Sequence, residues 1–285
     1  GLLVAALNPP TQRTVLVSKV EECIFFNRDC AFSLSSNQYP GVVHPKGYEY
    51  FKFFERKPLP RMKFEAHGNH LLKTVFMVPG QNTTVVEYEN TGSAPFKLRL
   101  TPLFVHRDYH SLMQENPFYD FWLQPQNGCY ALYAYYGATP MYFNFSSGEF
   151  IENRNWYKNV EYFQEQERGL DCREDYFSVA NIDVVLQAGA KVQLLFSTDA
   201  GQVKKDPELL KTQTLKYLEQ IPPKGLDDSF LRDLHLAADQ FIVQRNSTNG
   251  YTLLAGYHWF TDWGRDTMIA MRGLTIATGK QEISR

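Results

Sequence analysis

A series of short, β-type segments separated by turn residues fills the first 200 residues, and this pattern constrains the fold more than any other feature. Gly, Pro and Asn stand between these segments, as in "VPGQN", "NTGSAP", "QPQNG" and "LQAGA". Many short strands joined by such turns predict a mainly β fold built as a large antiparallel sandwich. The segments are residues 13–22, 70–78, 83–90, 96–105 and 190–198.

The pattern becomes helical after residue 200. Asp206 stands before Pro207 and Glu208, which predicts a helix with Asp206 as its N-cap. This helix should end before Pro222, because proline cannot continue it. We therefore interpret residues 201–225 as a linker between the β-sandwich of residues 1–200 and a separate segment, residues 226–285.

Residues 226–246 predict a helix with a broad apolar stripe, since Phe230, Leu234 and Phe241 recur at helical spacing. A second helix is predicted over residues 264–278, with Gly279 as its C-cap. Two helices cannot cover such a stripe, so we expect the apolar faces to be exposed and the helical domain to continue beyond residue 285. The opening "GLLVAALNPP" is likewise interpreted as a strand entered midway.

Charge and cysteine content exclude several classes of protein. With 29 basic and 31 acidic residues, the net charge of −2 argues against a nucleic-acid partner. No apolar stretch is long enough to cross a bilayer, so no membrane partner is expected. The four cysteines lack metal-type spacing and are too few for a disulfide scaffold, which favours reduced thiols in a cytoplasmic protein. They are Cys23, Cys30, Cys129 and Cys172.

The segment "AGYHWFTDWGRDTMIAMRGL", residues 255–274, crowds charged and aromatic side chains together. Asp262 and Asp266 are four residues apart and would share one face of a helix. One interpretation is that Thr261 or Asp262 caps this helix and that Arg265 pairs with an aspartate. A capped surface helix, however, has no need of indoles beside its start, and this segment has two.

This segment resembles the signature of the glycogen-debranching amylo-α-1,6-glucosidase family, in which an aromatic-rich turn leads into "DWGRDT" and a helix. Three earlier segments resemble the N-terminal domain of the same family: "GLLVAAL", "LFVHRDYHSL" and "ERGLDCREDYFSVA". The resemblance implies a large antiparallel β-super-sandwich followed by the first helices of an α/α toroid. It also implies hydrolysis of α-1,6-linked glucose in branched α-glucan such as glycogen or limit dextrin, with inversion and without a metal or cofactor.

The resemblance assigns roles to individual residues of the motif. Asp266 matches the general acid, which protonates the leaving oxygen. Asp262 is expected to bind a substrate hydroxyl or to orient its neighbours. The water-activating base is expected in a later toroid segment, so residues 1–285 alone should be inactive. The expected substrate-binding residues are Asp262, Trp263, Arg265 and Trp259.

Two alternatives to a debranching glucosidase stay open at the level of sequence. One is a non-catalytic, glycan-binding β-sandwich, which the composition permits although such a module has no need of "WGRDT". The other is a glucoamylase-like or trehalase-like toroid glycosidase that acts on a different substrate.

Three further segments have a structural and a functional interpretation. "HRDYH", residues 106–110, is predicted as a strand end or loop rather than a metal site, with a glycan contact as the alternative. "ERGLDCRED", residues 167–175, is predicted as a solvated loop whose charges pair with one another. The aromatic residues of segment 116–136 are assigned to the core and edges of the sandwich, with a sugar-binding platform as the alternative.

Overall fold

The computed structural model describes residues 1–27 and 30–284. The chain forms two compact units. The first consists of Gly1–Val4 and Val15–Lys211, and the second of Ala5–Thr14 and Thr212–Arg285.

Strands dominate the chain up to residue 200, as the alternation of apolar and polar residues predicts. In chain order they are β1 (Leu3–Asn8), β2 (Thr11–Asn27), β3 (Cys30–Ser33), β4 (Ser36–Tyr39), β5 (Val42–Lys46), β6 (Phe51–Glu55), β7 (Arg61–Ala66), β8 (Asn69–Met77), β9 (Thr83–Asn90), β10 (Phe96–Asp108), β11 (Trp122–Gln126), β12 (Cys129–Tyr133), β13 (Met141–Phe145), β14 (Glu149–Glu161), β15 (Arg173–Leu186) and β16 (Lys191–Ser197).

These strands form two large sheets and a small one. The six-stranded sheet has the order β1-β2-β10-β15-β14, with β3 paired to β2, and the eight-stranded sheet has the order β11-β12-β13-β16-β9-β8-β7-β6. Strands β4 and β5 form a separate pair. The pairings of β10, β14, β16 and β8 with their neighbours are antiparallel. The mainly β, antiparallel architecture predicted from the sequence is therefore confirmed.

Aromatic side chains join the two large sheets across the core of the sandwich. Phe104 on β10 lies 5.6 Å from Phe143 and 6.3 Å from Phe196, both on the other sheet, measured between ring centroids. From segment 116–136, Phe121 is 1% exposed and stacks on Phe177 at 4.8 Å. Rings buried in this way remove apolar area from water, which is the main driving force for packing the sheets together. The assignment of this segment to the core is confirmed at Phe121.

The charged segment 167–175 differs from its prediction at Glu174, which has no exposed side-chain surface. Its carboxylate accepts hydrogen bonds from the guanidinium of Arg107, from the backbone N–H of Met113 at 3.1 Å and from the hydroxyl of Tyr162. The prediction of a solvated loop was therefore wrong for Glu174, although Glu167 to Asp171 are exposed. The sequence could not reveal the reason, because the compensating Arg107 lies 67 positions away.

The segment "HRDYH" lies at a strand end, as predicted, because β10 ends at Asp108. The backbone N–H of His110 donates to the carboxylate of Asp108 at 2.8 Å, which closes a turn after the strand. His106 packs edge-on against Tyr135 at 5.1 Å, and burial lowers the pKa of its imidazole.

One short helix lies between β14 and β15, and the other α-helices and a short hairpin follow residue 200. The α-helices are α1 (Phe163–Glu167), α2 (Pro207–Gln220), α3 (Ser229–Phe241) and α4 (Gly264–Met271), and the hairpin consists of β17 (Ile242–Arg245) and β18 (Gly250–Leu253). Short 3-10 turns span Gly47–Tyr50, Gln202–Lys204, Asn246–Thr248 and Gln281–Ser284, and a π-helical turn spans Arg272–Ile276. None of the described helices has the length and apolar character needed to cross a membrane.

The start of α2 agrees with its prediction, since the carboxylate of Asp206 accepts from the backbone N–H of Glu208 at 3.0 Å. The helix predicted over residues 226–246 is shorter than expected. Its N-cap is Asp228, which accepts from the N–H of Leu231, and it ends at Phe241.

A hairpin replaces the last turn of that predicted helix. Ile242 pairs with Leu253 and Arg245 with Gly250, and Asn249 turns the chain with a φ of 49° in the left-handed region. The hairpin loop is residues 246–249 and contains a 3-10 turn before Asn249, and the β-branched Ile242 and Val243 favour a strand where the helical spacing would continue the helix.

The apolar stripes of α3 and α4 are largely exposed, as expected from two helices alone. Phe230 is 67% exposed and Ile269 is 75% exposed, and Leu231, Leu234 and Met268 are also exposed. Two apolar residues of these helical segments are covered instead, since Ala238 is buried and Leu274 is half-buried. The prediction that the apolar faces are exposed was therefore wrong at these two positions.

Replacing Glu174 with alanine should lower the free energy of unfolding by about 3–5 kcal/mol, because Arg107 would keep a buried charge without its counter-ion. Urea denaturation measures this change. Glu167→Ala is the matched control: its side chain is exposed in the same segment, and its cost should stay within about 0.5 kcal/mol. Equal losses in the two variants would contradict the role given to Glu174.

Candidate active site

The aromatic segment before α4 forms a closed loop, which we call the aromatic loop (residues 255–263). Leu254 and Asp262 form an isolated antiparallel bridge at its base. The N–H of Ala255 donates to the carbonyl oxygen of Thr261 at 2.9 Å, and the N–H of Phe260 donates to that of Gly256 at 3.0 Å. These bonds satisfy backbone groups within the loop and hold its two ends together.

Asp262 fixes the aromatic loop to the β17–β18 hairpin. Its side chain is 10% exposed, and its Oδ2 atom accepts from the guanidinium of Arg245 and from the hydroxyl of Thr252 at 3.1 Å. Arg245 ends β17 and Thr252 lies in β18. The interpretation in which Asp262 caps the next helix or pairs with Arg265 was therefore wrong: the partner is Arg245, and the residue at the N-cap position is Trp263.

Two more contacts hold the aromatic loop from other directions. The guanidinium of Arg13 donates to the carbonyl oxygen of Phe260, and the hydroxyl of Tyr257 donates to that of Gln240 at 2.7 Å. The ring of Tyr257 also packs on Phe241 with centroids 5.5 Å apart. Burial raises the pKa of Tyr257, with Arg13 acting in the opposite direction, so this phenol stays a neutral donor.

The aromatic loop exposes its large rings even though its backbone is fixed. Trp259 is 40% exposed, Phe260 is 54% exposed and Trp263 is 58% exposed. Exposed rings on a tethered backbone form a surface on which an apolar or amphipathic ligand can stack without ordering the loop first.

Asp266 lies in the first turn of α4, directly after this loop. Trp263 is extended, with φ −126° and ψ 128°, and its carbonyl oxygen accepts the first helical bond from the N–H of Thr267 at 2.8 Å. Asp266 and Arg265 are exposed, and within residues 1–27 and 30–284 no side-chain hydrogen bond or ion pair engages the carboxylate of Asp266. Asp266 is thus available to contact a ligand, whereas the carboxylate of Asp262 already accepts hydrogen bonds from Arg245 and Thr252.

The end of the segment that follows α4 is tied to α3. Gly279 has a φ of 80°, and the N–H of Lys280 donates to the carbonyl oxygen of Thr275 at 2.8 Å, as in a glycine C-cap. Asp239 on α3 accepts from the ammonium of Lys280 and from the hydroxyl of Tyr217 at 2.7 Å. Asp266 therefore projects from a helix that is held near both of its ends.

The structure brings the predicted site residues Trp259, Asp262, Trp263, Arg265 and Asp266 into one loop-and-helix unit. Sequence reasoning missed Arg13, Arg245 and Thr252, which support this unit from other parts of the chain. In the part of the chain that the structure describes, no group of three or more His, Cys, Asp or Glu side chains could hold a metal ion. Among the predicted site residues, Asp266 offers a carboxyl group without a side-chain partner in the described chain, on a helix that directly follows the loop with the exposed rings.

Solved structures with similarity to this chain include a bacterial glucoamylase in complex with acarbose, at 7% identity and a TM-score of 0.45, matched over 85% of this chain and 37% of that one. A polysaccharide lyase matches at 10% identity and a TM-score of 0.31, over 65% of this chain and 25% of the other. This chain thus spans little more than a third of the glucoamylase's length. No curated protein matches it.

Two family models match the chain along most of its length. Residues 1–193 match the model described as glycogen debranching enzyme N terminal, and residues 236–285 match the model described as amylo-alpha-1,6-glucosidase. The second match contains the aromatic loop and Asp266, and the first contains the β-sandwich strands through β15. Because the first model alone spans more than half of the sequence, this chain belongs to the glycogen debranching enzyme family.

Proposed function

We propose that the protein is a glycoside hydrolase that releases glucose from the α-1,6 branch points of an α-glucan such as glycogen or limit dextrin, with inversion at the anomeric carbon. The observation that carries this proposal is the free carboxyl group of Asp266 beside the exposed rings of a tethered loop. The family match over residues 236–285 places the same segment within an amylo-alpha-1,6-glucosidase model.

Asp266 is the general acid in this proposal. Protonation of the glycosidic oxygen by a carboxylic acid lets the leaving sugar depart as a neutral alcohol. A proton donor must reach the substrate, and the exposure of Asp266 and its lack of a side-chain partner in the described chain support that role. Inversion also requires a carboxylate that activates water from the opposite side of the ring, and we assign no described residue to that step.

Trp259, Trp263 and Arg265 are the proposed substrate-binding residues. The indole rings offer faces for the apolar C–H surface of a glucose ring, and Arg265 offers N–H donors to hydroxyl groups. Trp263 at the N-cap of α4 and Arg265 in its first turn lie within three residues of Asp266, and Trp259 lies in the loop before them, which supports this assignment.

Asp262 is proposed to position the site rather than to contact the reacting bond. Its Oδ2 atom is already engaged by Arg245 and Thr252, and its side chain is only 10% exposed. Of the two roles considered for this residue, these contacts favour the orienting one. Catalysis depends on such preorganisation, because small displacements of an acid cost much of its effect.

The domain division belongs to the same proposal. It assigns residues 1–200 to the β-sandwich domain, residues 201–225 to the linker and residues 226–285 to the start of an α/α toroid, although Ala5–Thr14 group with the second unit and the first unit extends to Lys211. The exposed apolar faces of α3 and α4 support the last assignment, because helices of a toroid bury such faces against neighbouring helices.

Asp266→Asn in the full protein should reduce glucose release from a branched limit dextrin by at least about 100-fold, because asparagine cannot donate the proton. Proton NMR follows the product, which inversion releases first as the β-anomer. Asp227→Asn is the control, since Asp227 is exposed in the same unit and should leave the rate unchanged. Undiminished release by the Asp266 variant would remove this residue from the mechanism and favour a non-catalytic glycan-binding role for the segment.

Asp262→Ala should loosen the aromatic loop and speed chymotrypsin cleavage within residues 255–263, because Arg245 and Thr252 would lose their acceptor. The loss in unfolding free energy should be about 1–2 kcal/mol, since Arg245 is 41% exposed and water screens part of the ion pair. Asp262→Asn, which keeps an acceptor oxygen, should lose less, and Asp227→Ala should match the wild type. Wild-type cleavage rates in Asp262→Ala would contradict the tethering role.

A further inference from the structure

The β11–β12 hairpin lies at one edge of the eight-stranded sheet, far in sequence from the candidate active site. Among the described strands, β11 pairs with β12 on one side and with none on the other, and β6 forms the opposite edge of the same sheet. Asn127 and Gly128 join β11 to β12 in a two-residue turn, with Gly128 at a φ of 77°. A loop of defined length and turn type fixes the register of the hairpin.

Trp122 on β11 stacks on Tyr133, its direct cross-strand neighbour on β12, with ring centroids 5.0 Å apart and planes at 24°. The indole is 52% exposed although one of its faces is covered by Tyr133. Because β11 is the edge strand, no described strand places a cross-strand neighbour on the other side of the indole, which agrees with its exposure. Tyr133 therefore holds the ring in place and leaves one flat aromatic surface available.

A glutamine side chain without a hydrogen-bond partner among the described residues lies on the same face of β11 as Trp122. Gln124 is two residues along β11 and so shares the face of Trp122. It is exposed, it pairs across the hairpin with the small Ala131, and no hydrogen bond to its amide occurs in residues 1–27 and 30–284. The sequences of β11 and β12, "WLQPQ" and "CYALY", contain no charged residue.

We propose that Trp122, Tyr133 and Gln124 form a second, non-catalytic binding platform for an α-glucan chain, which we call the edge platform. A glucose ring presents a C–H face that stacks on an indole, and its equatorial hydroxyls match the donor and acceptor atoms of a glutamine amide. The absence of charged residues on the two strands themselves fits a neutral polyhydroxylated ligand. This assignment rests on the proposed function for the choice of an α-linked polymer.

A platform on the sandwich would serve a polymeric substrate through multivalency. A branched glucan held at the edge platform stays at high local concentration for a second site on the same protein. The gain applies to polymers and is lost for an oligosaccharide too short to engage both sites.

Native gel electrophoresis in gels containing glycogen tests the edge platform, because a glucan-binding protein is retarded in proportion to its affinity. The wild-type protein should be retarded relative to gels without polysaccharide. Trp122→Ala should raise the apparent Kd about tenfold, the amount expected for the loss of one aromatic stacking contact. Trp122→Phe, which keeps a stacking ring, should be retarded almost as strongly as the wild type.

Phe54→Ala is the matched control. Phe54 is 55% exposed on β6, the other edge strand of the same sheet, and its loss should leave retardation unchanged. Thermal unfolding of each variant establishes that the fold is retained. The proposal would be overturned if Trp122→Ala were retarded as strongly as the wild type, or if the wild type itself were not retarded. It would also be overturned if Trp122→Ala dissociated a dimer without changing the affinity for glycogen.

Glucose release in the same preparations keeps this test separate from the proposed function. Retardation that depends on Trp122, in a protein that releases no glucose from limit dextrin, would contradict the hydrolase and support the edge platform. Glucose release by a protein whose retardation does not depend on Trp122 would support the hydrolase and contradict the edge platform.

Discussion

The carboxylate of Glu174 has no exposed surface, and its burial constrains how the sandwich is assembled. A buried charge is tolerated only where donors compensate it fully. The donors come from Arg107 on β10, from Met113 in the segment after that strand, and from Tyr162, which follows β14. Burial, with Tyr176 and Glu174 nearby, raises the pKa of Tyr162 and keeps its phenol a donor. One buried carboxylate thus ties together the neighbouring strands β10, β15 and β14 and the segments that follow them.

In the second unit, too, hydrogen-bond donors compensate a carboxylate that is nearly buried. Asp262 is nearly buried, and its engagement by Arg245 and Thr252 sets the path of the aromatic loop. The loop can then expose its rings without becoming mobile, and Asp266 follows on a helix that begins where the loop ends. The two aspartates therefore differ because of burial. Asp262, which is nearly buried and hydrogen-bonded, supports the aromatic loop, whereas the exposed Asp266 is available to react with a substrate.

Sequence patterns predicted what depends on neighbouring residues. The strand β9, the N-cap at Asp206 and the glycine cap at Gly279 all follow from local propensity, and the structure has them. The last part of the predicted helix over residues 226–246 was wrong, because the β-branched Ile242 and Val243 begin a hairpin whose loop ends at Asn249 in the left-handed region.

The surroundings of the candidate site could not be predicted, because they depend on residues that are distant in the sequence. The motif identified Asp262 and Asp266 together, but their different surroundings depend on Arg245, 17 residues away, and on Arg13, which lies 247 residues from Phe260. Periodicity and capping rules contain no information about such partners. For the same reason the burial of Glu174 could not be inferred from a segment that is otherwise exposed.

The central claim is that the carboxyl group of Asp266 donates a proton to a glycosidic oxygen in a sugar stacked on the aromatic loop. A crystal structure of the full protein with a non-hydrolysable α-linked pseudo-oligosaccharide tests this most directly. We expect the bridging nitrogen or oxygen of the ligand to lie within hydrogen-bond distance of the carboxyl group of Asp266, about 2.6–3.2 Å, with a ring on Trp259 or Trp263. A ligand bound in the catalytic domain with its bridging atom on another carboxyl group, and with Asp266 facing solvent, would contradict the account.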